Sequence, residues 1–352
     1  MRPKPRLRAA ARASIPVLGV VAGIMIGALV VVAPGRGFLQ IVGQLFYDAF
    51  GTLDNFASSL VYAIPLGFTG LAIVIAYSAG VFNIGGEGQL QLAAVTTVLV
   101  AAVPGFPSPV LHVAACLLGG AATGALWALL PGILRAYKGY SEIVITMLMN
   151  YLATLLVSFL VSGPIKDPSG YFPQSRKILA TARLAPLVPG TKLHAGIIVF
   201  LVLAALTAFL LRRTVFGFRL RSVGFNPEGA MYAGTDVRRT MVVAMLLSGA
   251  VAGVAGTVEI LGVQSRLLDG FSPGYGFDAI AVALLANLNP LGVILSSFFF
   301  GALRNSAAGL QIDMGIPVAF IYIIQGMAIF VVIGASGFPG FLRRACKKAR
   351  HA

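Results

Sequence analysis

The sequence predicts an all-α polytopic membrane protein of about ten transmembrane helices, arranged as an inverted 5+5 repeat with helices broken near the midplane. Three observations carry this. First, 58% of the 352 residues are hydrophobic and 11% charged, with a mean hydropathy of +0.91, a balance that leaves no polar exterior for a soluble domain of this size. Second, apolar runs of membrane-spanning length recur along the chain. Third, two of those runs are shortened by polar, glycine-containing breaks, N-I-G-G-E-G-Q at 83–89 and F-S-P-G-Y-G-F-D at 271–278.

The expected spans are 15–34, 60–80, 87–103, 109–131, 143–163, 194–211, 240–262, 274–288, 291–310 and 316–334. The first follows a basic region but is too long for a signal core, so it reads as a retained anchor. An even number of spans returns the C-terminus to the side of the N-terminus. That matches the charges: Arg2, Lys4, Arg6, Arg8 and Arg12 precede the first span, and Arg343, Arg344, Lys347, Lys348 and Arg350 follow the last. By the positive-inside rule both tails, 1–14 and 341–352, are cytoplasmic and flank a transmembrane domain over 15–340. The same count makes 212–239 a cytoplasmic loop and 164–193 an extracytoplasmic one. The outer loop carries Lys166, Arg176, Lys177, Arg183 and Lys192 against the trend, but it is long, and short flanking loops weigh most.

The net charge of +15 does not indicate nucleic acid, because the basic residues lie at span ends and are not interleaved with aromatics on one face. Cys116 and Cys346 are unsuited to a disulfide or a metal site, and His112, His194 and His351 are scattered. Forty-two glycines fit helices packed through small residues, since lipid gives helices no hydrophobic reason to associate. No phosphate-loop, zinc-protease, nucleophile-elbow or paired-cysteine motif occurs, so any ATP-driven motor must be another polypeptide.

The loop from Arg212 to Arg239 has a readable local structure. Asn226 is a good N-cap, Pro227 suits the first turn, Glu228 complements the helix dipole, and Gly234 can close the helix in a left-handed conformation. A two-turn helix outside the membrane would present Met231 and Tyr232, either as a surface feature or as a plug for a partner's groove.

Four stretches carry a family resemblance: F-N-I-G-G-E-G-Q (82–89), S-E-I-V-I-T-M-L-M-N-Y (141–151), G-F-R-L-R-S-V-G-F-N-P-E-G-A-M-Y-A-G (217–234), and G-F-D-A-I-A-V-A-L-L (276–285) followed by N-P-L-G. In order, over about 60–340, the chain resembles ABC importer permeases of the simple sugar and nucleoside branch, relatives of the ribose and branched-chain amino acid permeases. The resemblance implies a bacterial cytoplasmic-membrane subunit working with a second permease, a cytoplasmic ABC ATPase that uses ATP and magnesium, and an extracytoplasmic substrate-binding lipoprotein. This chain would bind no cofactor and catalyse nothing itself. The stretch holding Gly217, Arg219, Arg221, Gly224, Asn226, Pro227, Glu228, Met231, Tyr232 and Gly234 would be the coupling segment seated in the ATPase. The run Ala286-Asn287-Leu288 departs from the Gly-Arg-Asn type more common in relatives.

Ionisable groups inside a bilayer are costly and point to function. Glu87, with Phe82, Asn83 and Gln89 beside it, either lines the solute path or braces the broken helix by accepting backbone N–H bonds. Thr146 and Asn150, one turn apart, and Asp278 could bond a nucleoside or sugar, or bond between helices. Phe82 and Tyr275 could stack on a base or sugar face, or pack. Glu259 and Arg304 form the expected structural intramembrane pair. On physics alone an ion-driven secondary transporter of a small polar solute fits the breaks equally well, and a branched-chain amino acid permease is a further alternative. The residues leave the solute open between nucleosides and simple sugars.

Overall fold

The computed structural model describes residues 37–315 and six positions beyond them, 319, 322, 323, 326, 327 and 330. The expected span 15–34, most of 316–334, both tails, Cys346 and His351 lie outside the described residues. Within them the chain is helical, with three isolated bridges and no strand. Two compact units divide it. One draws on Met1–Ser59 and Ala302–Ala352, the other is Leu60–Gly301.

In the smaller unit, helix α1 (Phe38–Phe50) lies between the first two expected spans, where none is predicted. Ile41, Leu45, Asp48 and Ala49 form its buried stripe, at the spacing of one helical face. Its 13 residues measure about 20 Å, too short to cross a bilayer. Helix α2 (Leu53–Tyr77) starts in this unit, and α11 (Pro290–Met314) ends in it. Asn305 Nδ2 donates to the carbonyls of Asp48 (2.7 Å) and Asn55 (3.0 Å), and Ser306 Oγ donates to Leu45 O at 2.7 Å.

The larger unit holds the rest: α3 (Gly86–Ala101), α4 (Pro109–Lys138), α5 (Glu142–Ser162), a short turn at Ala180–Ala182, α6 (Gly196–Arg213), α7 (Val215–Phe225), α8 (Pro227–Tyr232), α9 (Val237–Glu259), which continues into a π turn at Ile260–Gln264, and α10 (Tyr275–Leu285). Local chemistry sets several ends. Ser108 caps α4 by accepting from Leu111 N with Pro109 at the first turn, and Gly139, at φ +69°, closes it. Asp236 caps α9 through Arg239 N at 3.0 Å.

The core of this unit is a backbone-on-backbone contact between α4 and α9. A Cβ on Gly124 would lie 2.9 Å from Gly253 Cα, and one on Gly253 would lie 3.0 Å from the carbonyl carbon of Gly120. Only hydrogen side chains allow that approach, which in lipid supplies the dispersion energy that water would otherwise drive. Of the apolar windows, 89% of α2 is buried inside the protein against 22% of α4, so α2 is interior and α4 turns most of its surface outward.

Among the described residues, six helices are long and apolar enough to cross a membrane: α2, α4, α5, α6, α9 with its π turn, and α11. The expected spans 87–103 and 274–288 correspond to α3, with 16 residues and about 24 Å, and α10, with 11 residues and about 16 Å. Neither reaches across a hydrocarbon core of about 30 Å alone. Both start at the polar breaks, and α7 is a further helix where the sequence reading had only loop.

Candidate functional site

The first break runs from Ser78 to Gly85. Gly80 adopts φ +73°, a conformation nearly free of cost only for glycine, and turns the chain out of α2. Past it, side chains from neighbouring helices satisfy the exposed backbone groups one by one. Phe82 N donates to Glu142 Oε1 (3.2 Å), Gly85 N to Asn83 Oδ1 (2.9 Å), and Gly88 N to Asn150 Oδ1 (2.9 Å), while Asn150 Nδ2 donates to Ile84 O (2.9 Å). In hydrocarbon each unmet group would cost several kcal/mol. The amides are therefore what permits the break.

Asn83 is the hub. Its Nδ2 donates to Gln89 Oε1 (2.9 Å) and Ser248 Oγ (2.8 Å), and its Oδ1 accepts from Gln89 Nε2 (3.1 Å). Ser248 Oγ in turn donates to Ala72 O at 2.6 Å. Asn83, Gln89, Thr146 and Asn150 are all buried in this chain. Thr146 sits against Gly85 and gives its hydroxyl to Glu142 O at 2.7 Å.

Glu87 joins the two breaks. It stands in the first turn of α3, accepts from Gln91 Nε2 at 3.1 Å, and accepts from Gly276 N, in the first turn of α10, at 2.7 Å. A Cβ on Gly276 would lie 2.6 Å from Glu87 Cα, so the crossing is possible only because residue 276 is glycine. Two helix N-termini thus meet at one carboxylate. Gly274, at φ +94°, starts α10, and Thr69 Oγ1 lies 3.4 Å from Tyr275 O.

The 212–239 segment forms a second feature. Thr214 caps α7 through Gly217 N at 3.0 Å, and Arg221 Nε donates to Gly217 O at 3.4 Å. Asn226 ends α7 and caps α8, accepting from Gly229 N at 3.0 Å, with Pro227 and Glu228 in the first turn. Thr235 N returns to Ala230 O at 2.9 Å with Gly234 at φ +79°. Met231 (58%), Tyr232 (88%) and Phe225 (94%) are exposed.

Residues 55–335 match the family described as branched-chain amino acid transport system / permease component. The chain belongs to that family. Glucose ABC transporter permease protein TsgB13 of Haloferax volcanii is 34% identical over 93% of this chain and 88% of its own. Guanosine ABC transporter permease protein NupP of Bacillus subtilis is 33% identical over 92% and 93%. A second protein of that organism, guanosine ABC transporter permease protein NupQ, is 28% identical over 80% and 91%.

In this permease the structure brings Asn83, Glu87, Gln89, Thr146 and Asn150 together around the first break, with Tyr275 and Asp278 at the start of α10. Tyr275 is buried, and half-buried Phe82 packs edge-on to Tyr77 with ring centroids 6.0 Å apart. Glu259 is buried and accepts from Gln264 Nε2 at 3.2 Å, while Arg304 belongs to the smaller unit. The sequence reading missed Glu142, Ser248, Gln91 and Gly276. Glu142 follows Ser141 in the S-E-I-V-I stretch and could have been found by asking what the acid in the first turn of α5 bonds. Ser248 carries no local signal. The departing run near Asn289 is strained, with Asn287 at φ +49° and Leu288 at φ +56°, and Arg212 donates to Asn289 Oδ1 at 2.8 Å.

Proposed function

We propose that this permease is the membrane subunit of an ATP-driven importer for nucleosides or related simple sugars. It would pair with a second, related permease and be driven by a separate ABC ATPase that uses ATP and magnesium, with no ATPase site or cofactor of its own. A substrate-binding lipoprotein would deliver the solute. The observation that carries this reading is α8, a six-residue helix capped at both ends whose last two residues are an exposed methionine and tyrosine. Such a rod, held rigid before any partner arrives, suits insertion in a groove. The names of the relatives support the solute class, and two differing permeases named for one guanosine system support a heterodimer.

In the finer reading the chain has ten spans in an inverted 5+5 repeat, with 15–34 and 316–334 as first and last and both termini cytoplasmic. ATP-driven closure of the motor moves α8, rocks the two permeases, and switches the path beside Glu87 from outward to inward facing. Phe82, Asn83, Glu87, Gln89, Thr146, Asn150, Tyr275 and Asp278 border that path, and Glu259 with Arg304 is a structural intramembrane pair.

The test is the assembled transporter in proteoliposomes. Exchanging Glu228, Met231 or Tyr232 should leave solute delivery by the binding protein intact and separate ATP hydrolysis from uptake. Wild-type coupling in all three variants rejects the reading. Competition of labelled guanosine uptake by other nucleosides, glucose and leucine assigns the solute, and uptake by the permease without any ATPase would instead mark an ion-driven carrier.

A further inference from the structure

Two contacts from the α8 region converge on the same five residues. Gly224 stands two positions before the Asn226 cap and packs bare backbone on Ser78–Gly80. A Cβ on Gly224 would strike Ser78 O and lie 3.0 Å from Gly80 N, and one on Gly80 would lie 3.3 Å from Gly224 Cα. The second contact runs through Glu142, which is 9% exposed. Its Oε1 accepts from Phe82 N at 3.2 Å and its Oε2 pairs with Arg135 Nε at 3.2 Å. Arg135 and Gly139 form one wall of a cavity of about 460 Å³ whose other wall includes Pro227, Glu228 and Met231 of α8. From Phe82 the chain passes directly to Asn83, the hub of the broken segment.

We propose that the elbow Ser78–Phe82 is the joint through which α8 moves the polar break, with Glu142 as the latch that fixes it to the α4 end. The proposal rests on the coupling reading above and names the route inside this chain. Gly224 lets α7 press on the elbow without an intervening side chain, so a displacement of α8 reaches the elbow undamped. Glu142 holds the elbow's far end with a charge-assisted bond on each oxygen, an arrangement that is strong when both are made. A carboxylate that served only the first turn of α5 would need no arginine, because the helix N-terminus alone accommodates it there. Coupling through such a joint shows as non-additivity between variants of its two partners.

The experiment uses the complete transporter in proteoliposomes with labelled guanosine, or labelled glucose if guanosine is not moved. It reads solute moved per ATP hydrolysed, and recovery of the ATPase subunit on purification of the permease. Glu142→Ala and Gly224→Ala should each lower the ratio about tenfold with the ATPase subunit recovered at wild-type yield. Glu142→Gln keeps an acceptor for Phe82 N and should fall between. Arg135→Ala added to Glu142→Ala should lower the ratio no further, because the two act as one link. If Tyr232→Ala uncouples while Glu142→Ala, Glu142→Gln and Gly224→Ala keep the wild-type ratio, the joint is wrong and the coupling reading stands. If Tyr232→Ala itself keeps the wild-type ratio, the coupling reading fails first. Should the alanine variants not assemble, a wild-type ratio in Glu142→Gln overturns the latch.

Discussion

Glu87 and Gly276 lie 189 positions apart in the chain and are joined by a 2.7 Å hydrogen bond from the glycine amide to the carboxylate. The bond ties the start of α3 to the start of α10, so the two breaks form one junction. Glu87→Ala leaves Gly276 N buried without an acceptor and should cost about 1–3 kcal/mol. Glu87→Gln retains one oxygen for Gly276 N but turns a donor toward Gln91 Nε2, so it should fall between the alanine variant and wild type. Thermal unfolding in detergent measures both. An alanine variant that melts with wild type yet moves no solute would assign the carboxylate to the path and not to the brace.

The α4 and α9 backbones touch, and that makes a glycine prediction with opposite signs at two positions. Gly253→Ala places a methyl group 3.0 Å from the Gly120 carbonyl carbon and 3.2 Å from Gly124 Cα, and helix backbones cannot step aside as a side chain can. The expected loss is about 1–3 kcal/mol. Gly43, exposed in α1, has nothing within 4 Å of the same added atom. Gly43→Ala should raise stability by about 0.5–1 kcal/mol through helix propensity. Unfolding midpoints of the two variants moving in the same direction would contradict the packing described.

What could be read from the sequence was local. Asn226, Pro227 and Gly234 specify α8 with no help from tertiary structure, and the structure places each in its expected role. The breaks were legible because glycine beside amides and an acid has one economical explanation inside an apolar run. Their crossing was not, because Glu87 and Gly276 become partners only through the packing of α2, α3 and α10. Ser248 and Glu142 were missed for the same reason: each serves a backbone group far away in sequence, Ala72 O and Phe82 N. Helix α1 was hidden differently. Its apolar stripe is present, but one of the buried positions is Asp48 and its length fits no span.

The cap of α8 can be tested without a transport assay. Asn226→Ala removes the acceptor for Gly229 N and should cost about 1 kcal/mol, within a range of roughly 0.5–2. In a helix of six residues that is enough to fray the first turn. Amide hydrogen exchange should rise several-fold at Gly229 and Ala230 while α9, capped separately by Asp236, stays protected. Asn226→Asp should restore protection, since a carboxylate caps as well as an amide and suits the dipole. Equal exchange in wild type and alanine variant would mean that the side chain does not hold this helix.

His194 supplies a pH prediction. It precedes α6, whose spanning helix starts at Gly196 and not at the expected 194, and is 3% exposed. Its ring is enclosed by Gly196 and Gly262, and a Cβ on either would meet ring atoms at under 3.0 Å. Nδ1 accepts from Gly196 N at 3.1 Å, which leaves the neutral ring its proton on Nε2. Burial pushes the pKa down from 6.5 to about 4. The unfolded chain therefore binds a proton near pH 6.5 that the folded chain refuses until about pH 4, so the contribution to stability is whole above 6.5 and is lost as pH falls through that window. The full difference amounts to about 3 kcal/mol at most. The melting temperature should thus decline between pH 6.5 and 4.5 in wild type. In His194→Asn, whose amide oxygen can still accept from Gly196 N, the decline should be visibly shallower. Parallel profiles for the two proteins would show that another group sets the acid limit.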